Sequence, residues 1–229
     1  MSTYLTIDTS TGVLVGVARE ELGNVTVLSD IRNDDTRRHA ENLSPMVEQA
    51  LAQAGIARPD AVVVGTGPGA FTGLRVGLVT ARTLAHAWQV PCYGLSSLEV
   101  LALAATDAGA NETVPVIDAR RRELFTLRAQ VMGADDVAVV EPARVVAPAD
   151  LAKELARKPA VLAAVSESLY LDVLGEREVV VQSPEVFVRL LLSRLGRIDA
   201  GEELSLDTEP QYLRRPDVHG GAHAQPAAL

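Results

Sequence analysis

Ala61-Val62-Val63-Val64-Gly65-Thr66-Gly67-Pro68-Gly69-Ala70-Phe71-Thr72-Gly73-Leu74-Arg75-Val76-Gly77 runs from an apolar strand, through a glycine-rich loop, into a helix predicted from about Thr72 to Trp88. Residues 61–64 carry no polar alternation, which marks a strand covered on both faces, as parallel strands in α/β sheets are. A loop that opens a helix presents free backbone N–H groups and can hold an anion. No Lys-Ser or Lys-Thr pair follows it, so it is not a P-loop. Gly65-Thr66-Gly67-Pro68-Gly69-Ala70 fits the loose G-x-G-x-x-A dinucleotide pattern. It follows the fourth strand rather than the first, however, and no acidic residue stands around Gln89 to Tyr93 to hold a ribose. Packing is the remaining reading. Gly69, Gly73, Gly77, Ala81 and Ala85 recur every four residues and make one smooth helical stripe. Leu74, Leu78 and Val79 spread around the same helix, so it needs cover on more than one side. One cover is the chain's own sheet; the other is predicted to be a second chain.

Outward from this stretch the elements come in a doubled order. Tyr4 to Ile7, Val13 to Ala18 and Val25 to Ile31 read as an antiparallel meander, with Asp8-Thr9-Ser10-Thr11-Gly12 as its first turn. Ala40, Leu43, Val47, Ala50, Leu51 and Ala54 share one helical face, ended by Gly55, and Pro45 restarts that helix. After the long helix come a strand at Val90 to Tyr93 and a third helix opened by a capping box, Ser96 with Glu99. The same β-β-β-α-β-α-β-α order then repeats. Its strands are Val114 to Ile117, Leu124 to Val131, Val137 to Val146 (interrupted at Glu141-Pro142), Ala160 to Val165 and Glu178 to Val181. Its helices are Pro148 to Arg157, a short one at Ser166 to Leu174, and one capped by Ser183-Pro184 that runs through Leu195. Both halves open with a strand that ends in Asp, Asp8 and Asp118. A duplicated unit is the simplest account. It predicts an actin-like (ASKHA, RNase H-like) α/β fold with lobes at 1–109 and 110–209, then a segment at 210–229 whose end is a disordered tail.

Composition narrows the function classes. Aromatics make up only 3% of the chain, so the core must be built from Ala, Val and Leu. The net charge of -9 disfavours a stand-alone nucleic-acid binder, because phosphate contacts need a basic surface. Any RNA in the pathway should be held mostly by another subunit. Cys92 is the single cysteine, so no intrachain disulfide forms. No targeting segment and no membrane-spanning run is seen, and a soluble, cytoplasmic protein is expected.

Gly67-Pro68-Gly69-Ala70-Phe71-Thr72-Gly73-Leu74-Arg75 closely resembles a motif of the TsaB (YeaZ) family. So do Ile7-Asp8-Thr9-Ser10, Arg38-His39-Ala40-Glu41-Asn42-Leu43, Ile117-Asp118-Ala119-Arg120-Arg121-Arg122-Glu123 and Pro210-Gln211-Tyr212-Leu213-Arg214. The resemblance implies an actin-like paralogue of the catalytic subunit TsaD. Such a protein pairs with TsaD, and with the ATPase TsaE, to transfer a threonylcarbamoyl group to the adenosine beside the anticodon of ANN-decoding tRNAs. TsaC supplies threonylcarbamoyl-adenylate. The chain itself is then not an enzyme. It holds no cofactor alone; ATP or ADP, magnesium and the TsaD metal belong to the complex. It forms a homodimer when alone and meets tRNA only indirectly. The implied partner surface is His39, Glu41, Leu43, Met46 and Val47 with Phe71, Thr72, Gly73, Leu74, Arg75, Gly77, Leu78 and Ala81. Asp8, Thr9, Ser10, Gly65, Gly67, Pro68 and Gly69 form the structural motif behind it.

The residues themselves bear on this. The catalytic paralogue carries an Asn-His-Leu-Glu-Gly-His type motif whose histidines hold a metal. Here the stretch is Ser96-Ser97-Leu98-Glu99-Val100-Leu101, with Ser97 and Leu101 where the histidines would be. Leu cannot ligate a metal and Ser is a poor ligand for transition metals. His219 and His223 have helical spacing but lie in the Gly/Ala/Pro tail. Asp8 and Asp118 suggest an alternative, a stand-alone actin-like phosphotransferase. Against it, Asp8 and Thr9 can cap their own turn, and Ala119-Arg120-Arg121 lacks a small phosphate-binding turn. A metallopeptidase is disfavoured by the missing histidine pair. Arg75 is a candidate polar anchor for the partner, and Cys92 a buried, inert thiol.

Overall fold

The structure, a computed structural model, describes residues 1–33 and 39–214, and the side chains of 39–41 lie outside that description. The first half contains β1 (Ser2–Asp8), β2 (Val13–Glu21), β3 (Asn24–Asn33), α1 (His39–Ala54), β4 (Ala61–Gly65), α2 (Phe71–Trp88), β5 (Cys92–Leu95) and α3 (Ser97–Asp107). The second contains β6 (Glu112–Asp118), β7 (Leu124–Val131), β8 (Val137–Val146), α4 (Pro148–Arg157), β9 (Val161–Ala164), α5 (Leu171–Leu174), β10 (Glu178–Val179) and α6 (Pro184–Asp199). Each half forms a five-stranded sheet, ordered β3-β2-β1-β4-β5 and β10-β9-β6-β7-β8, so the second repeats the first. This is the actin-like duplication. β1 to β3 form the antiparallel meander, and β4 lies parallel to both β1 and β5 with all five residues buried.

Alternation along β1 splits the first core in two. Leu5 and Ile7 face α1 and α2, where Leu43, Val47, Leu74, Leu78 and Ala81 meet them. Tyr4, with Leu14 and Ala18 of β2, faces the other way, into a larger core between the two sheets. Two helices fill that space, and they are crossed. α3, the last helix of the first half, packs on β6 to β9, and α6, the last of the second half, packs on β1 to β5. The boundary near Gly109 follows the repeat in sequence, but each half's core is completed by the other half's final helix. Asp136 ties these parts together. Only 1% exposed, it accepts hydrogen bonds from Arg194 Nε at 2.7 Å, Arg197 at 2.8 Å and Ser193 at 3.1 Å, while Arg194 also reaches Glu99 of α3. A buried carboxylate needs such partners, because desolvation alone would neutralise it.

Local signals hold at several ends. Gly55 takes φ +67° and α1 closes with Gly55 N–H on Ala52 and Ile56 N–H on Leu51, a Schellman cap. Ser183 accepts from Val186 N–H, with Pro184 in the first helical turn. Other expectations need correction. Pro45 sits inside a continuous α1 rather than restarting it. The Ser96–Glu99 capping box does not form: Ser96 Oγ donates to the Gly67 carbonyl and Glu99 pairs with Arg194, so tertiary partners take both side chains. β5 is Cys92–Leu95, two residues later than expected, because its pairing with β4 begins at Val62↔Cys92, after Pro91. α5 shrinks to four residues and β10 to two, and β8 continues past Pro142 on an edge, where a missing N–H is tolerated, with the expected interruption present as a register shift against β7 between Glu141 and Arg144.

Candidate functional site

The segment from 65 to 77 and the turn after β1 form one packed unit. A Cβ on Gly65 would lie 2.2 Å from Asp8 Oδ2, one on Gly69 would lie 2.8 Å from Ser10 Cα, and one on Gly77 would lie 2.3 Å from Thr9 Oγ1. The three glycines therefore make room, in order, for Asp8, Ser10 and Thr9. Thr9 Oγ1 donates to the Gly73 carbonyl at 2.9 Å, which fastens the turn to α2. Gly67, at φ +94°, takes a conformation that favours glycine, and its carbonyl accepts from Ser97 N–H at 2.8 Å. Pro68 is buried beside it.

Asp8 is 1% exposed. Its Oδ1 accepts from Ser10 N–H at 2.6 Å, and its Oδ2 accepts from Ser97 Oγ at 2.6 Å; Ser97 Oγ lies 2.7 Å from Ser10 Oγ. The Asp8 half of the turn-capping expectation is met, while Thr9 donates to the Gly73 carbonyl of α2 instead of capping its own turn. Gln182 closes the far side: its Nε2 donates to the Ser97 carbonyl at 3.2 Å and its Oε1 accepts from Thr11. The space between the first turn and the glycine loop is thus occupied by this chain's own side chains.

Burial lifts the Asp8 carboxyl above its ordinary value of 3.8, and the bonds from Ser97 and Ser10 offset this in part. A raised carboxyl pKa means that the folded state holds the proton longer than the unfolded chain does. The contribution of this group to stability is therefore fully present below 3.8 and declines as pH rises through the folded value. Asp8→Asn can keep both contacts, as acceptor from Ser10 and donor to Ser97, without a charge. We expect its urea midpoint to fall less than the wild type's between about pH 4 and about pH 8. A wild-type midpoint that rises across that range, with the variant's flat, would contradict the assignment.

The predicted partner residues divide by burial. Leu43, Met46 and Val47 of α1, and Gly73, Leu74, Gly77, Leu78 and Ala81 of α2, are buried inside the first lobe. The small-residue stripe is therefore not a face left for another chain; the Asp8–Ser10 turn and the sheet already cover it. Thr72 and Arg75 are exposed and Phe71 is half-buried. His39 and Glu41 stand in the first turn of α1, and their side chains lie outside the described residues. Val79, 61% exposed, continues the stripe of Thr72 and Arg75. His219, His223 and the rest of the tail also lie outside the described residues.

Sequence reasoning missed the strap at residues 202–214. After α6 the chain returns over the first lobe. Gly94 N–H donates to the Leu206 carbonyl at 2.8 Å, Arg82 Nε to Thr208 Oγ1 at 2.6 Å, and Gln211 N–H to the Thr66 carbonyl at 2.9 Å. Tyr212 then stacks on Phe71 with centroids 4.9 Å apart, and the Arg75 guanidinium lies 3.8 Å from the Phe71 centroid while Nε donates to Tyr212 Oη at 2.8 Å. Further along, Arg214 donates to the Ala119 carbonyl and pairs with Glu123. The motif at Pro210 to Arg214 carried the only signal, and it was local.

On α3, Ser97 and Leu101 are both fully buried, Ser97 against Asp8 and Leu101 in the inter-sheet core. Cys92 is half-buried, and burial pushes its thiol up to about 11, so it is a poor nucleophile. Among the described residues no helix is long and apolar enough to cross a membrane.

Comparison with known proteins supplies relatives. The family profile for TsaD, tRNA N6-adenosine threonylcarbamoyltransferase, matches residues 26–172. The solved YeaZ from Pseudomonas aeruginosa is 30% identical, with a TM-score of 0.71, over 93% of this chain and 100% of its own. An uncharacterised Mycobacterium tuberculosis protein is 44% identical over 131 residues, 56% of this chain and 59% of that protein. The Haemophilus influenzae tRNA threonylcarbamoyladenosine biosynthesis protein TsaB is 36% identical over 126 residues, 54% of this chain and 52% of that protein. The chain thus spans little more than half the length of the curated relatives it matches.

Proposed function

This chain belongs to the TsaB (YeaZ) family, and we propose that it takes part in tRNA threonylcarbamoyladenosine biosynthesis as a non-catalytic subunit that pairs with TsaD. The observation that carries this reading is the state of α3. The two positions that hold metal-binding histidines in the catalytic paralogue are Ser97, engaged by Asp8, and Leu101, sealed in the core. Neither can serve a metal without unpacking the centre of the molecule. The filled space between Asp8, Ser10 and Gly69 favours nucleotide and magnesium being held by the partners, TsaD and the ATPase TsaE, rather than by this chain.

The partner surface is the exposed face of α2, Thr72, Arg75 and Val79, with the exposed residues Ser44, Pro45 and Glu48 of the neighbouring α1. An isolated apolar side chain ringed by polar ones suits a modest interface centre. The same face can join two copies of this chain when the partner is absent. Light scattering after size exclusion tests this directly. Mixed with TsaD from the same organism, the chain should elute as a one-to-one complex. Val79→Glu, at an exposed position where the fold is indifferent, should lower the affinity by at least about 10-fold, since a charge buried at an interface core without a partner is strongly unfavourable. A wild-type mixture that elutes as two separate species would sink the partner reading, and a fully competent Val79→Glu would sink the surface.

A further inference from the structure

The two halves use the same device after their first strands and put it to opposite ends. In both, the strand-ending Asp accepts from the backbone N–H two residues on: Asp8 from Ser10 at 2.6 Å, Asp118 from Arg120 at 2.8 Å. The first turn is buried under Gly69 and Gly77. The second is open to solvent and carries Arg120, Arg121 and Arg122, all exposed. These three take φ values of 62°, 52° and 62°, a run of left-handed residues that glycine adopts freely and arginine does not. The turn is closed by Ala119 N–H on the Glu123 carbonyl and Glu123 N–H on the Arg120 carbonyl. The strap adds a fourth guanidinium, Arg214, bonded to the Ala119 carbonyl and paired with Glu123. Arg120 thus pairs with Asp118 and Arg214 with Glu123, beside the exposed Arg121 and Arg122, on a chain whose net charge is -9.

A solvated surface turn needs neither this composition nor this backbone. The sequence holds three long cations where small residues would be less strained, so we infer that the Arg120–Arg122 turn, with Arg214, binds the phosphate backbone of RNA directly. Phosphate oxyanions are the chemistry that guanidinium forks fit. The choice of a polymer over a free nucleotide rests on exposure, because side chains on the surface, as Arg120, Arg121 and Arg122 are, can follow successive phosphates but do not enclose a base. The choice of RNA rests on the tRNA pathway of the preceding subsection. This goes beyond the expectation that tRNA is met only through a partner. The turn supplies position and affinity, not sequence readout.

The test uses the full chain alone, with a fluorescent unmodified transcript of an ANN-decoding tRNA, read by anisotropy from low to moderate salt. The wild type should bind with an affinity that falls with salt, each contacted phosphate adding about 0.9 to the log–log slope. Replacing Arg120, Arg121 and Arg122 together by glycine removes the charges and relieves the backbone, so the variant should fold at least as well. Its affinity should fall at least about 10-fold and its salt slope by about 2.7, one phosphate for each arginine removed. Replacing all three by lysine should keep most of the slope. No binding by the wild type, an unchanged slope in the glycine variant, or displacement of the RNA by stoichiometric ATP would each overturn the inference. The TsaD mixture is read separately: RNA binding without a complex would sink the partner reading and leave this one standing, and the reverse result would do the opposite.

Discussion

Gly94→Ala will release the C-terminal strap. A Cβ at this position would stand 1.9 Å from the Asp207 carbonyl oxygen and 2.7 Å from Thr66 Cγ2. The first of these is backbone, and it cannot turn aside as a side-chain tip can. Gly94 N–H donates to the neighbouring Leu206 carbonyl, so moving the strap breaks that bond first. The contacts beyond it, Arg82 on Thr208 and Gln211 on Thr66, depend on the same path. Overpacking at rigid sites costs about 1–3 kcal/mol. Lifting the strap, whose Leu206 and Leu213 are only partly buried against the edge of the main core, is the less costly relaxation. Hydrogen exchange should therefore show Gly94 and Gln211 amides losing protection, and proteases should cut within 203–214, while the global urea midpoint moves little. If both amides stay as protected as in the wild type, the strap is not held as described.

Gly77→Ala should instead weaken the whole first lobe. The added methyl would lie 2.3 Å from Thr9 Oγ1, a buried β-branched side chain with no free rotamer, whose hydroxyl is bonded to the Gly73 carbonyl. Relaxation must either lift α2 from the turn or displace Thr9. The first loses core contacts, and the second strips the buried Thr9 hydroxyl of its acceptor. Together these cost about 2–4 kcal/mol, combining overpacking with a lost buried hydrogen bond. Thr9→Ala in the same chain removes both clashing atoms and should recover more than half of the loss, a coupling that a double-mutant cycle isolates. If the two changes simply add, the stripe is not packed on Thr9. The same geometry explains why a change at Gly77 would be a poor probe of partner binding: it would damage the fold before it reached a partner. Val79→Glu separates the two questions.

The order of elements was legible because period and punctuation agree along the chain. Apolar runs, a Schellman glycine at Gly55 and a Ser-Pro start at Ser183 each report on residues close in sequence. The fourfold repeat of small residues on α2 was legible too, as a demand for close approach. What approaches was not legible, because Thr9 and Ser10 lie about sixty residues upstream and nothing in the spacing names them. The capping box at Ser96 and Glu99 failed for the same reason. Its local signal was real, but Gly67 and Arg194, remote in sequence, outbid it. The strap was invisible because it has no periodicity. Its hydrogen bonds go to partners on α2, on β5, in the loop after β4 and in the turn after β6, all remote in sequence, and the motif at Pro210 to Arg214 does not name them.

The crossed final helices set a condition on how the chain is made. Val186, Phe187, Val188, Leu190 and Leu191 of α6 complete the core against strands that begin at Ser2. During synthesis the first sheet must therefore wait, one face bare, until α6 has left the ribosome. Contacts of such long sequence separation form slowly, and an exposed apolar sheet face in the meantime invites aggregation. Folding of the first half is tied to the arrival of α6, so a chain that stalls or is cut short before Pro184 carries an unfinished first half rather than one complete lobe.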